Sequence, residues 1–280
     1  LKARVFILTS LAMIAFASNS LLCRAALKQT AIDPASFTFI RIVAGAIALW
    51  LITSIQRSTS TEKGNWGSAM SLIVYAAGFS FAYVDLSAGT GALLLFGAVQ
   101  ATMIFWGFHK GERLDAVQIV GIVVAFIGLV VLVFPGISAP PLLGSALMLI
   151  AGIAWGVYSL RGRVATDAVA ATSGNFLRAV PFAALLSIAA VRQTHFDSSG
   201  AIYAIISGAI TSGIGYVIWY LALSGLKATS AATVQLSVPV LTATGGILLL
   251  GESITFRYVI ASVAVLGGIA LVVIEKQRTT

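Results

Sequence analysis

The sequence predicts an all-α integral membrane protein of ten transmembrane helices, arranged as two inverted five-helix repeats with both termini cytoplasmic. Three observations lead there. Of 280 residues, 59% are hydrophobic and only 9% are charged, against about 25% charged in an average soluble domain. That leaves too little polar surface to cover a water-soluble globule. The apolar residues are gathered into ten runs, each near the roughly 20 residues a helix needs to cross a hydrocarbon core. Finally, much of the chain occurs twice.

The duplication is read from its less common residues. Ala88, Thr102, Gly111-Glu112 and Gly128 reappear in order as Ala228, Thr242, Gly251-Glu252 and Gly268. Upstream, Arg24, Ser36, Phe39, Arg41, Gly78 and Tyr83 match Arg161, Ser173, Phe176, Arg178, Gly215 and Tyr220. An insertion of Gly225-Leu226-Lys227 accounts for the change of register between the two blocks. Matched Ala, Leu, Val and Gly carry little weight in such a chain. Matched Arg, Tyr and Glu carry more, because only nine acidic residues exist to be matched. Two repeats are therefore predicted, 1–136 and 137–280.

The spans follow in order as 4–23, 35–55, 66–85, 89–108, 115–134, 141–160, 172–191, 200–223, 228–250 and 256–274. The chain begins at Leu1 rather than Met, so further residues are expected upstream. Lys2 and Arg4 followed by Val5 to Ala17 have the composition of a signal peptide. The apolar run continues to Leu22, however, and removing it would leave the first repeat one helix short, so it is read as a span. Pro34, Pro135, Pro140 and Pro141 fall at span ends, where helices tolerate them. Pro181 and Pro239 fall inside, and are expected to kink or interrupt helices 7 and 9.

Orientation follows from the basic residues. With the N-terminus inside, the cytoplasmic segments hold Lys2, Arg4, Arg57, Lys63, Lys110, Arg113, Arg161, Arg163, Lys227, Lys276 and Arg278. The outer ones hold only Arg24, Lys28, Arg192 and Arg257. Five helices per repeat is an odd number, so the second copy enters the membrane from the opposite side. Inverted repeats of this kind are typical of transporters, with the substrate site near the midplane where the halves meet.

Several classes are disfavoured. The net charge of +8 is spread through the gaps between apolar runs, not along one face, so no nucleic-acid partner is expected. Cys23 is the only cysteine, which excludes an intramolecular disulfide and a multi-cysteine metal site. No metal or cofactor is expected. Both histidines lie outside the spans, and no acid lies at mid-span; Asp85, Glu112, Asp115 and Glu252 sit at loop edges. A membrane-embedded enzyme would need reactive pairs or metal ligands at depth. Proton coupling would need an intramembrane carboxylate or histidine, for which Asp85 is the nearest candidate.

The candidate site is aromatic with a few amides. Helix 3 carries Tyr75, Phe79 and Tyr83 along one face, helix 8 carries Tyr216, Trp219 and Tyr220, and helix 6 adds Trp155 and Tyr158. Rings near span ends could equally form an interfacial belt. A wall of rings suits a hydrophobic or aromatic solute, and can hold a cationic amine. Asn19 and Gln235 are candidate contacts for the polar end of a zwitterion, and Gln100 is a further buried amide. Thr102, Ser237, Thr242 and Thr244 are read as helix–helix contacts. Arg41 and Arg178 each lie well inside a span. They could be counter-ions for a substrate carboxylate, but snorkelling to the near interface or tying down a helix end is the favoured reading. Gly121, Gly128, Gly208, Gly213, Gly215, Gly267 and Gly268 would let helices approach closely.

Taken together, Phe39-x-Arg41, Phe176-x-Arg178, Trp155-Gly156, the Tyr-x-x-Leu motifs at Tyr83 and Tyr220 and the two Gly-Glu pairs resemble the drug/metabolite transporter superfamily, in its ten-helix form with two EamA repeats. Within it, the chain resembles the YddG-like exporters of aromatic and other hydrophobic amino acids. The resemblance implies a bacterial inner-membrane exporter working by alternating access, embedded in the lipid bilayer as a monomer. It also implies a central cavity lined by helices 1, 3, 4, 6, 8 and 9. The small four-helix drug exporters of the superfamily carry an essential glutamate in helix 1. Here helix 1 has Asn19 and Ser20 and no acid, which argues against cation-drug/proton antiport.

Overall fold

A computed structural model describes residues 2–56, 63–111, 115–136, 139–162, 165–223, 226 and 234–278. Among them the chain is all-helical, with no strand. The helices are α1 (Lys2–Gln29), α2 (Pro34–Ile55), α3 (Trp66–Ala82), α4 (Ala88–His109), α5 (Ala116–Val133), α6 (Leu142–Gly162) and α7 (Ala168–Ala189). A single run then changes character twice: α8 (Ser198–Ile206), a π-helical segment Ser207–Ile214, and α9 (Gly215–Leu223). The chain continues with α10 (Ser237–Leu250) and α11 (Phe256–Arg278). Among the described residues, seven helical runs are long and apolar enough to cross a membrane. Trp66–Ala82, Ser237–Leu250 and Phe256–Val272 are apolar but shorter.

Among the described residues, four helix starts are set by the scarce acids. Asp33, Asp115, Asp167 and Asp197 cap α2, α5, α7 and α8, each accepting backbone N–H bonds from the first turn. Gln118 completes a capping box with Asp115. Uncharged caps serve two others, Asn65 for α3 and Ser87 for α4. Gly111 and Gly251, aligned across the two copies, both take positive φ, +92° and +63°. At Gly251 this lets the Glu252 amide turn back to the Gly246 carbonyl at 3.0 Å, closing α10.

Several expectations need correction. Helix 1 does not stop at residue 23: no breaker intervenes before Pro34, so Arg24 and Lys28 belong to α1, not to a loop. Pro181 does not interrupt α7, which runs through it. Pro239, by contrast, does interrupt helix 9: Val234 and Gln235 are helical, Leu236 is a turn, and α10 begins afresh at Ser237. The proline lies in the first turn of α10, where its missing N–H costs nothing. Helix 8 was expected to be uniform from 200 to 223, but its middle widens into π geometry. Residues 228–233 of helix 9, and Glu112 of the first Gly-Glu pair, lie outside the described residues.

Small residues form two seams that position the rest. Along α5 and α11, Gly121 meets the backbone of Gly268, and Gly128 meets Ala264 and Val265, with no room for a Cβ. Along α2 and the π-helical segment, Gly208 lies against the backbone carbonyl of Arg41, and Gly45 against the ring of Phe176. Between the seams, α1, α3, α4, α6 and α9 converge on the centre of the bundle.

Two outcomes follow. Gly208→Val should force α2 and the π-helical segment apart and lower stability by about 1–3 kcal/mol or more. Gly267→Ala, where a Cβ meets nothing, should be neutral or slightly stabilising; thermal unfolding of the purified variants compares them. The second concerns Asp33, whose carboxylate accepts from Ala35 N, Ser36 N and His195 N at 3.0, 2.9 and 3.0 Å. Burial pushes its pKa up, but the bonds from Ser36, His195 and Ala35 outweigh that and hold it below the usual carboxylate range. Its contribution is therefore complete above the unfolded value near about 4 and is lost as pH falls through the lower folded value. Asp33→Ala should cost about 1 kcal/mol at neutral pH. The gap to the parent should close in acid, as read by unfolding midpoints across a pH series.

Candidate functional site

Trp155 of α6 is the hub of a ring cluster at the centre of the bundle. Its ring lies 4.8 Å from Tyr75, 5.0 Å from Tyr216 and 6.3 Å from Phe16, and Tyr158 stacks on it at 5.5 Å. Phe16 also stands edge-on to Tyr216 and Trp219, at 6.1 and 5.7 Å. Tyr75 continues the cluster to Phe79 at 5.4 Å. Such pairs add about 0.5–1.5 kcal/mol each beyond burial. The rings enclose a cavity of about 20 Å³, bounded by Phe16, Asn19, Ser20, Tyr75, Phe79, Leu95, Phe96, Trp155 and Tyr216. That is room for about one water molecule. No amino-acid side chain fits without the rings moving apart.

A buried polar network runs beside the rings. Asn19 donates from Nδ2 to the Tyr75 hydroxyl at 3.2 Å, and its Oδ1 accepts from Ser207 at 2.7 Å and Thr211 at 3.2 Å. Ser207, Thr211 and Ser212 all belong to the π-helical segment, and all three face this network.

Arg41 joins that network, which corrects the snorkelling expectation. Its side chain is 1% exposed. Nη2 donates to the Tyr75 hydroxyl at 3.0 Å, and the guanidinium lies 5.2 Å from the Tyr75 ring centre and 4.9 Å from that of Phe79. Ser212 Oγ accepts from Nε and Nη2 at 3.4 Å. Nη1 has no hydrogen-bond partner. An arginine at membrane depth costs about 2.5–3.5 kcal/mol on the insertion scale, and a desolvated cation–π contact returns about 2 kcal/mol. Two ring faces and a hydroxyl across the bundle thus hold the side chain inward. Arg178, its aligned counterpart, does behave as expected: it donates to the carbonyls of Lys63 and Gly174 and covers Trp66, tying down a helix end.

The expected residues divide accordingly. Asn19, Tyr75, Phe79, Trp155 and Tyr216 line the central cavity. Trp219 and Tyr158 are buried one ring behind it. Tyr83 is neither wall nor interfacial belt; it is fully buried and donates to the Ala88 carbonyl at 3.2 Å. Tyr220 is half-buried, with its hydroxyl against Gly162. Gln100 and Gln235 are buried away from the wall, so helix 9 contributes nothing to it among the described residues. Sequence reasoning missed Phe16 and the hydroxyls Ser207, Thr211 and Ser212. Phe16 lies one turn from Asn19, and the three hydroxyls stand within an apolar span beside Gly208 and Gly213. Both signals were available.

Charged side chains clamp both ends of the bundle. At one end, Arg24 Nε pairs with Glu252 at 2.9 Å, and Nη1 donates to the carbonyls of Tyr83 and Val84 at 2.9 and 2.8 Å. The second Glu252 oxygen accepts from Ala88 N at 2.8 Å, at the start of α4. A larger cavity of about 210 Å³ opens beside this pair, lined by loop residues including Asp85 and Ser253, away from the ring cluster. At the other end, Arg161 donates to Ser68 at 3.0 Å and Asn65 at 2.9 Å.

Comparison with known proteins agrees with this architecture. The model of the EamA-like transporter family matches residues 3–134 and again 142–274. The chain belongs to the EamA-like transporter family, and is a multi-pass membrane protein of a family that moves small molecules across membranes. It is similar to an uncharacterized protein of Pseudomonas aeruginosa, 55% identical over 270 residues, covering 96% of this chain and 94% of that one. It also resembles an uncharacterized transporter of Archaeoglobus fulgidus, 23% identical across 99% of this chain and 100% of the other. An uncharacterized transporter of Bacillus subtilis is 23% identical over 85% and 86% of the two chains. A crystal structure with 17% identity shares the fold, with a TM-score of 0.68 over 99% of this chain and all of that one.

Glu252 makes the clamp testable with the chain's own thiol. Cys23 adjoins Arg24 and is fully buried. Glu252→Gln removes the ion pair, and maleimide labelling of Cys23 in the folded protein should accelerate several-fold. Labelling as slow as in the parent would mean that the pair does not hold that end closed.

Proposed function

We propose that this protein is a secondary transporter that exports aromatic and other hydrophobic amino acids, and related small metabolites, by alternating access. The site lies between repeats 1–136 and 137–280, in a bacterial inner membrane with both termini cytoplasmic, and the monomer is the working unit. The observation that carries the reading is the narrow, ring-lined cavity. Rings from α1, α3, α6 and α9 meet around a space of about 20 Å³, next to a chain of buried amide and hydroxyl groups. Apolar walls with a few convergent polar groups suit a small amphiphilic solute. In this reading Phe79, Trp155 and Tyr216 contact its side chain, and Asn19 with Tyr75 contacts its polar end.

The second reading is export of other small metabolites or drugs through the same cavity. No acid is among the residues lining the ring site, which favours zwitterions over cations: a lone cation there would find no counter-charge, with the Arg41 guanidinium just behind Tyr75 and Phe79.

Counterflow into liposomes separates these readings. Vesicles carrying the purified protein, preloaded with one unlabelled amino acid and given no pH gradient, should take up labelled phenylalanine. Trp155→Ala removes the hub of the wall and should reduce that uptake at least about tenfold, as loss of a well-packed aromatic contact implies. A folded Trp155→Ala protein working at the parent rate would refute the assignment. Absence of uptake with every preload would shift the reading to other metabolites.

A further inference from the structure

We infer that Arg41 is the carboxylate-binding group of the central site, so that the transported solute carries an anionic oxygen group at its polar end. This deepens the transport reading and rests on it for the location of the solute.

The argument begins with unmatched charge. Arg41 is almost wholly buried, and no ion pair reaches it; among the described residues the one ion pair is Arg24–Glu252. Its neighbours offer ring faces and hydroxyls, which lessen the cost of the charge but do not neutralise it. Buried charges in proteins are normally paired.

The hydrogen bonds point the same way. The Tyr75 hydroxyl oxygen accepts twice, from Arg41 and from Asn19. Its own proton therefore points away from both donors. Arg41 Nη1 is buried and has no partner. The network thus holds a surplus of donors together with a positive charge directly behind Tyr75 and Phe79, the lining residues that separate Arg41 from the cavity. A carboxylate is acceptor-only when ionised and takes two donors from a guanidinium. It is the group that satisfies both deficits at once.

The local fold is built around this spot. The π-helical turn puts Ser207 and Ser212 on one face, where they steady Asn19 and Arg41. π-Helical turns are frequently found at functional sites. Gly208 brings that turn against the Arg41 backbone, which fixes where the guanidinium starts from.

The test uses ligand-induced shifts in thermal unfolding of the purified full chain. Three probes share one ring: phenylalanine, phenylalaninamide, which lacks the carboxylate, and 3-phenylpropionate, which lacks the amine. The parent should be stabilised by both carboxylates and not by the amide, a comparison that needs no variant. Arg41→Gln should weaken the response to 3-phenylpropionate about tenfold or more, while Arg41→Lys, which keeps the charge, should retain part of it. An equal response to the amide, or an unchanged response in Arg41→Gln, overturns the inference. So does an Arg41-dependent shift with chloride alone, which would make the ligand an inorganic ion. If counterflow proceeds but neither carboxylate shifts the parent, transport stands and the anion site falls. If 3-phenylpropionate acts through Arg41 while amino acids show no counterflow, the anion site stands and the amino-acid reading falls.

Discussion

A guanidinium shut away from water has to be solvated by protein, and the centre of this bundle is organised by that requirement. Tyr75 lends Arg41 its oxygen and its ring face, and Phe79 lends a second face. Tyr75 is in turn held by Asn19, and Asn19 by Ser207 and Thr211. Each link sits on a different element, so the polar chain crosses from α2 through α3 and α1 to the π-helical segment. The rings around the cavity are positioned by the same residues: Tyr75 is both the acceptor for Arg41 and the neighbour of Trp155. Close packing along the glycine seams fixes the helix pairs that share them, but Tyr75 and Asn19 lie on α3 and α1, between the seams. The polar chain ties these two helices to α2 and the π-helical segment.

The two copies of the sequence use aligned residues in different ways. Arg41 points into the bundle, while Arg178 covers Trp66 at a helix end. Arg24 grips Glu252 and the carbonyls after α3; Arg161 instead holds the residues before and within the first turn of α3. If the copies are inverted repeats, any one state of an alternating-access carrier must break their symmetry, because one end is open only when the other is closed. Differences at aligned arginines are then a property of the state, and similar residues are kept because each end takes each role in turn.

Much of the fold was legible because membrane solvation is strict. Helices have to carry the chain across, so apolar runs of the right length locate them, and polar residues mark what lies between. The α5–α11 seam was foreshadowed by Gly121, Gly128 and Gly268, whose missing side chains have meaning only where backbones touch. Four expected rings, Tyr75, Phe79, Trp155 and Tyr216, line the cavity because aromatic faces at helical spacing point one way, and Asn19 joins them as the buried amide of α1. What was not legible depended on distance in sequence. Arg41 sits close enough to the start of α2 that snorkelling was plausible, and only Tyr75, on another helix, decides against it. The fate of Tyr83 was set by the Ala88 carbonyl, across a turn whose shape sequence does not specify. The π-helical turn was hidden because small and hydroxylated residues also fit an ordinary α-helix.

That turn has a consequence for how the site can change shape. Ring packing leaves about 20 Å³ at the centre, so a molecule the size of an amino acid would fit there only if rings separated. The α5–α11 pair is joined backbone to backbone and offers little play. The run Ser198–Leu223 is different, because its π-helical middle contains wide turns whose hydrogen bonds are shared with side chains such as Thr211. Each α-helical residue turns the chain by about 100°. Converting one wide turn to α geometry would therefore rotate α9 relative to α8 by about that angle. Tyr216 and Trp219 ride on α9, and both pack edge-on against Phe16, Tyr216 in the cavity wall and Trp219 behind it. A change of register at one place would swing Tyr216 out of the wall, and Trp219 from behind it, while the polar chain from Arg41 to Asn19 stayed anchored on α2, α3 and α1. The segment that completes the buried network is thus also the segment whose geometry sets the width of the cavity.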